Sequence, residues 1–186
     1  MQTPVITKSK TKRMAGLSLV EMLIAVSIAS LVFAAVATLT IFMARSFVAT
    51  GNYADLDRAS RNALDTLTRD IRMSRSMTAY TTNKLTIKAF DDSTLIYEHD
   101  RSAGTLSRKS SATTTVLLQQ CDYLNFQIFQ RKPMSGFKFY PATNSAGAYD
   151  PNLAKLVDVS WRCSRKILGQ KINTESVQTA KIVMRN

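Results

Sequence analysis

From Leu17 to Ala44 the chain reads LSLVEMLIAVSIASLVFAAVATLTIFMA, twenty-eight residues with no proline, no glycine and one charge, Glu21. That exceeds the ~20 apolar residues a helix needs to cross a bilayer. After Gly51 the continuous apolar run becomes a stripe, with Leu56, Ala59, Ala63, Leu64, Leu67 and Ile71 at the three-and-four spacing of one helix face. No proline interrupts either stretch, so the pattern predicts one helix from Leu17 to about Met77, roughly 90 Å long. A small domain cannot bury so long a rod. The expected arrangement is a protruding transmembrane half over residues 17–44 and an amphipathic half over 45–79 packed on a C-terminal domain.

Beyond Ala79 the period shortens. Leu85, Ile87 and Ala89 alternate, and short β-prone runs come after them at Thr94 to Tyr97, Thr113 to Leu118, Leu124 to Ile128 and Phe137 to Tyr140. Val157, Val159, Trp161 and Cys163 fall on one face of a strand, as do Ala180, Ile182 and Met184. Ser110 to Thr115 is small and polar, as a loop would be. The pattern predicts an α+β domain over residues 80–186, an antiparallel sheet of about four to seven strands packed on the helix.

Length and charge refine this only slightly. The 186 residues allow one modest domain beside a membrane segment. The net charge of +12 is uneven: Lys8, Lys10, Lys12 and Arg13 lie in the first sixteen residues without an acid, leaving +8 for the rest. With only thinly spread arginines after the span, the positive-inside bias favours a cytoplasmic N-terminus and an exported C-terminal domain. The helix arginines Arg58, Arg61, Arg69, Arg72 and Arg75 could be read as a nucleic-acid stripe. Asp57 and Asp65 precede Arg61 and Arg69 by four residues, however, which favours a solvated, ion-paired face.

The order of the first elements carries the chemistry. A general secretory signal places its cleavage site after a short apolar core of about 7 to 15 residues. Here the plausible scissile point, at Gly16, precedes an apolar segment far longer than that. Cutting between Gly16 and Leu17 would remove residues 1–16 and keep the helix. Glu21 is then anomalous, since a carboxylate inside a spanning helix costs about 2.5–3.5 kcal/mol and usually marks a partner. No Lys or Arg lies between Leu17 and Ala44, but cleavage would create an α-amino group at Leu17, one turn away. In a stack of such helices the amine of one subunit can meet the carboxylate of the next. A misregistered subunit would leave that charge buried and unpaired.

Gly16-Leu17-Ser18-Leu19-Val20-Glu21, behind a basic leader and ahead of an uninterrupted apolar helix, resembles the prepilin peptidase motif of type IV pilins and type II secretion pseudopilins. The resemblance implies cleavage between Gly16 and Leu17, N-methylation of Leu17 and a filament-assembly role for Glu21. It also implies a pilin-like fold and a structural subunit inserted in the inner membrane with its sheet domain in the periplasm. The partners implied are other pilin or pseudopilin subunits, prepilin peptidase and the assembly platform of a pilus or secretion machine. Many family members carry a helix-bending proline where this chain has Thr38. Leu95-Ile96-Tyr97-Glu98, Gly104 to Arg108, and Val116-Leu117-Leu118 before Leu124-Asn125-Phe126 are similar, more diffusely, to PilW-type minor pilins and J-type minor pseudopilins.

Cys121 and Cys163 are the only cysteines and lie outside any metal or CxxC spacing. Cys121 has the opposite parity to Leu124, Phe126 and Ile128, so the two could bond only if Asp122 or Tyr123 forms a bulge or turn. A disulfide, which an oxidising envelope would permit, and two small buried thiols both remain open. His99, beside Asp100 and Arg101, reads as a surface turn residue, and Asp91, Asp92, Asp100 and Asp150 as turn chemistry. No phosphate loop, nucleophile elbow or zinc motif occurs, so neither enzymatic activity, a metal site nor a cofactor is expected. Two other functions stand beside the filament subunit. One is DNA binding through Arg131, Lys132, Arg162, Arg165, Lys166, Lys171 and Lys181 with Phe129 and Trp161; the other is a monomeric, single-span anchored domain.

Overall fold

The computed structural model describes Gly16 and residues 18–131, 136, 138–167 and 170–185, without the side chains of 167 and 170–173. The leader residues 1–15, Leu17, Lys132, Phe137 and the side chain of Lys171 therefore lie outside the described residues. The chain divides into two units, residues 1–44 and 45–186. A single α-helix, α1 (Leu19–Arg72, 54 residues), runs through the boundary.

In the first unit every described helical residue is exposed. The hydroxyls that interrupt the apolar run turn back onto the helix: Ser27 donates to the Leu23 carbonyl, Thr38 to Ala34 and Thr40 to Val36, each at 2.8 Å. Such bonds satisfy a polar group internally, which an apolar surrounding requires. At Thr38 the helix continues unbroken.

In the second unit α1 buries Leu56, Ala63, Leu67 and Ile71 of the face anticipated from the three-and-four spacing, half-buries Ala59 and Leu64, and adds the polar Ser60 and Asp70. The helix ends at Arg72, earlier than the sequence pattern suggests. Met73 N–H closes on the Arg69 carbonyl at 3.0 Å, and the Ser74 hydroxyl donates to the Ile71 carbonyl at 2.7 Å. The last turn's carbonyls are thus met by a cap, and Ser74 passes directly into a strand.

The single expected sheet is two. Five strands, β1 (Ser74–Thr81), β2 (Lys84–Ala89), β3 (Thr94–Asp100), β4 (Thr105–Lys109) and β5 (Thr114–Leu118), form an antiparallel meander in chain order. Four more, β6 (Cys121–Arg131), β7 (Phe139–Pro141), β8 (Leu156–Ile167) and β9 (Gln170–Val183), form a second antiparallel sheet in the order β7-β6-β8-β9. The α+β class holds, with a long helix and antiparallel sheets. The strands that periodicity passed over are β1, hidden in an extrapolated helix, and β4, whose only fully buried side chain is Leu106.

The sheets part at Gln120, whose φ of 57° is left-handed. That turn redirects the chain from β5 into β6. The junction is tied by backbone: Cys121 N–H donates to the Gly104 carbonyl at 2.7 Å, and Phe126 N–H to the Thr82 carbonyl at 2.8 Å. Gly104 itself has φ 61°, which a residue with a Cβ rarely adopts. The core of this unit joins Leu67 and Ile71 of α1 to Tyr97, Leu106, Phe126 and Trp161 of the sheets.

Candidate functional site

The N-terminal segment is built around the helix start. Gly16 is exposed and non-helical, with no atom within 4 Å of where a Cβ would sit. Ser18 caps α1: its hydroxyl accepts from Glu21 N–H at 3.2 Å, while its carbonyl accepts from Met22 N–H at 3.1 Å. Ser18 and Glu21 are thus the first and last residues of a Ser-x-x-Glu capping pattern at the head of an apolar run. Sequence reasoning passed over this cap, although the spacing alone carries the signal. An acid in the first turn also suits the positive end of the helix dipole.

Glu21 is exposed and is the only charged residue between Gly16 and Ala44. The surface around it is apolar and unpartnered within its unit, with Leu19 80%, Phe33 76% and Phe42 70% exposed. Such a surface is expelled from water and is long and apolar enough to cross a membrane. Chemically the segment offers a lone carboxylate on an apolar rod, one turn from the position that cleavage after Gly16 would turn into an amine.

Elsewhere, Cys121 lies directly opposite Cys163 in the β6–β8 ladder, with a register shift between Cys121 and Tyr123. The extra residue is Asp122, whose carboxylate accepts from the Ser164 hydroxyl. Both cysteines are buried and carry free thiols. The Cys121 thiol donates to the Tyr123 carbonyl at 3.3 Å; hydrogen bonding between the two facing thiols lowers the Cys121 pKa and, together with burial, raises that of Cys163.

His99 is not a surface turn residue. It is 2% exposed at the end of β3, on the inward face with Leu95 and Tyr97, and its Nε2 lies 3.0 Å from the Cys121 carbonyl. Asp70 of α1, which sequence reasoning passed over, collects the Tyr97 hydroxyl and Arg108 Nε at 2.6 Å each. Burial, and then the hydrogen bond to Asp70, push the Tyr97 pKa up. The turn reading of the acids fits their bonds: Asp91 accepts from Ser93, Asp100 from Ser102 and Ala103, and Asp150 caps a short 3-10 turn at Pro151. Hydrogen bonds from the adjacent serines hold the Asp91 and Asp100 carboxyls below the usual range.

Among the described residues, the basic positions of the second sheet have different neighbours. Arg165 reaches α1, with Nη1 3.2 Å from Asp55, and its Nε donates to Gln120. Arg162 lies opposite Val177, and Lys181 opposite Asp158. Trp161 is 1% exposed, its indole N–H donating to Ser60. On α1, Arg61 pairs with Asp57 at 2.8 Å, whereas Arg69 approaches Asp70 rather than Asp65.

The N-terminal segment thus joins a basic leader, a glycine and a capped apolar helix long enough to cross a membrane. Residues 11–37 of it match the family model of the prokaryotic N-terminal methylation motif. No curated protein and no solved structure matches the chain.

Proposed function

We propose that the chain is a minor pilin or minor pseudopilin, a structural and non-enzymatic subunit of a type IV pilus or type II secretion pseudopilus. The observation that carries this is the methylation motif running directly into an exposed apolar helix whose lone charge is Glu21. In this reading the precursor sits in the inner membrane with its N-terminus in the cytoplasm and its sheet domain in the periplasm. Prepilin peptidase cuts between Gly16 and Leu17 and methylates the new amine. The assembly platform then draws the subunit into a helix bundle, where the Leu17 amine of one subunit pairs with Glu21 of its neighbour. In so apolar a setting that pair fixes axial register, because any other register strands both charges.

The Ser18 cap uses the backbone N–H of Glu21, so substitutions at this position leave it in place and test the side chain itself. Glu21→Gln removes the charge and keeps the shape; Glu21→Val removes the charge and the side chain's hydrogen-bonding groups. Both variants are expected to insert in the membrane at wild-type levels and to leave the filament fraction at least tenfold depleted. Normal incorporation of Glu21→Gln would sink the amine–carboxylate account. N-terminal mass analysis of the native protein tests processing separately: the expected first residue is methylated Leu17, and an intact residue 1–16 segment would favour a monomeric anchored domain. The nucleic-acid reading is disfavoured, since Arg165 is engaged by α1 and Trp161 belongs to the core.

A further inference from the structure

We propose that Cys121 and Cys163 close into a cross-strand disulfide in the native protein, fastening the first residue of β6 to β8 where α1 packs over both. Ser164 N–H donates to the Gln120 carbonyl at 3.0 Å, which makes Gln120 and Ser164 the hydrogen-bonded pair of that rung. Antiparallel rungs alternate, so Cys121 and Cys163, one residue further in, form a non-hydrogen-bonded pair. In such pairs the Cα atoms stand about 4.5 Å apart and the side chains face each other, at the short end of the disulfide range.

The extra residue in β6 is what brings them together. Without it Cys121 would share the outward parity of Tyr123, which is 45% exposed, and would turn away from the face of Cys163. With Asp122 bulged out and held by Ser164, Cys121 turns inward onto the buried face of Cys163, its direct partner in the ladder. The backbone on both sides is fixed. Gly104 holds Cys121 N–H and His99 Nε2 meets the Cys121 carbonyl, while Ser60 of α1 touches Cys163. The bond would therefore clamp helix, first sheet and second sheet at one point.

Closure is a thiol–disulfide exchange with an external disulfide donor of the envelope. The Cys121 thiolate attacks one donor sulfur, the donor S–S bond breaks, and one donor thiolate leaves with a mixed disulfide on Cys121. Cys163 then loses its proton and attacks Cys121 Sγ, expelling the second donor thiolate. The two cysteines are oxidised by two electrons, the donor is reduced by two, and both thiol protons end on the donor. Since both sulfurs are buried in the folded unit, the exchange belongs to folding, before α1 covers the pair.

The inference rests on the exported placement of the sheet domain, so the test separates geometry from compartment. Full-length protein from cells is quenched in acid, denatured and treated with N-ethylmaleimide without reductant. The expected species carries no adduct and weighs two hydrogens less than the reduced chain. Two maleimide adducts, or an external thiol on either cysteine, would overturn the proposal for the native protein. In parallel, reduced full-length protein in detergent is refolded with oxidised glutathione. Closure there with free thiols in cells would place the fault in the compartment and count against export. Lasting glutathione adducts would place it in the geometry. Reductant should lower the melting temperature of the closed protein by about 10 °C and leave that of a Cys121→Ser/Cys163→Ser variant unmoved. Equal loss in both would also overturn the bond.

Discussion

Asp70 shows how much one side chain near the end of a helix can hold. It is 9% exposed, and the Tyr97 hydroxyl and Arg108 guanidinium both end on its Oδ2. Asp70→Ala would leave a buried hydroxyl and a largely buried cation without their acceptor, so we expect a loss of about 3 kcal/mol. Asp70→Asn, which can still accept one bond, should lose roughly half as much. Chemical denaturation checks both, and a loss below about 1 kcal/mol for the alanine variant would show the cluster to be solvated rather than structural. Neither Asp70 nor His99 was legible as a buried residue in the sequence, for different reasons. Nothing near Asp70 in the chain announces partners 27 and 38 residues away. His99 did carry a signal, the inward alternation Leu95, Tyr97, His99, but the charged turn beyond it drew the reading outward.

Among the elements, β8 could be read directly, because Val157, Val159, Trp161 and Cys163 alternate without a fault and all four are buried. The amphipathic half of α1 was legible for the same reason. Its end was not: residues 73–81 contain no proline or glycine, and the cap formed by Ser74 uses a residue type common inside helices as well. The division into two sheets depends on a left-handed Gln120, a residue whose identity gives no warning of it. The bulge in β6 could be stated beforehand only as a condition on the cysteines, and the ladder supplies it at Asp122. Deleting Asp122 should restore strict alternation and turn Cys121 outward. Its modification by N-ethylmaleimide in the native, reduced protein is then expected to rise at least tenfold over wild type. Unchanged protection would mean that the strand absorbs the deletion elsewhere.

At the scale of the whole molecule, the methylation motif was legible because its chemistry is linear: Gly16 to Glu21 needs no fold to be recognised. The likeness to PilW-type minor pilins and J-type minor pseudopilins is spread over separate strands and has no such linear signature. Among the described residues, all the buried ones belong to the second unit, from Leu56 onward. A chain beginning at Arg45 should therefore keep the near-ultraviolet dichroism of the full-length protein and need no detergent; aggregation of that shortened chain would show that residues before Arg45 complete its core. The meander of β1 to β5 has one more consequence, which concerns time. Each of its strands pairs with the next, so its contacts are local in sequence and close small loops. The second sheet meets the helix across long separations, 101 and 116 residues at Trp161 and Ser176 against Ser60 and 110 at Arg165 against Asp55. A chain delivered N-terminus first would have its early sheet paired while β9 is still unmade. Pulse-labelled hydrogen exchange should find amides of β2 to β4 protected before those of β8 and β9, and simultaneous protection would refute that order. Until the last hairpin arrives, the stretch of the helix face around Ser60 waits uncovered, and that interval is when a chaperone would have most to hold.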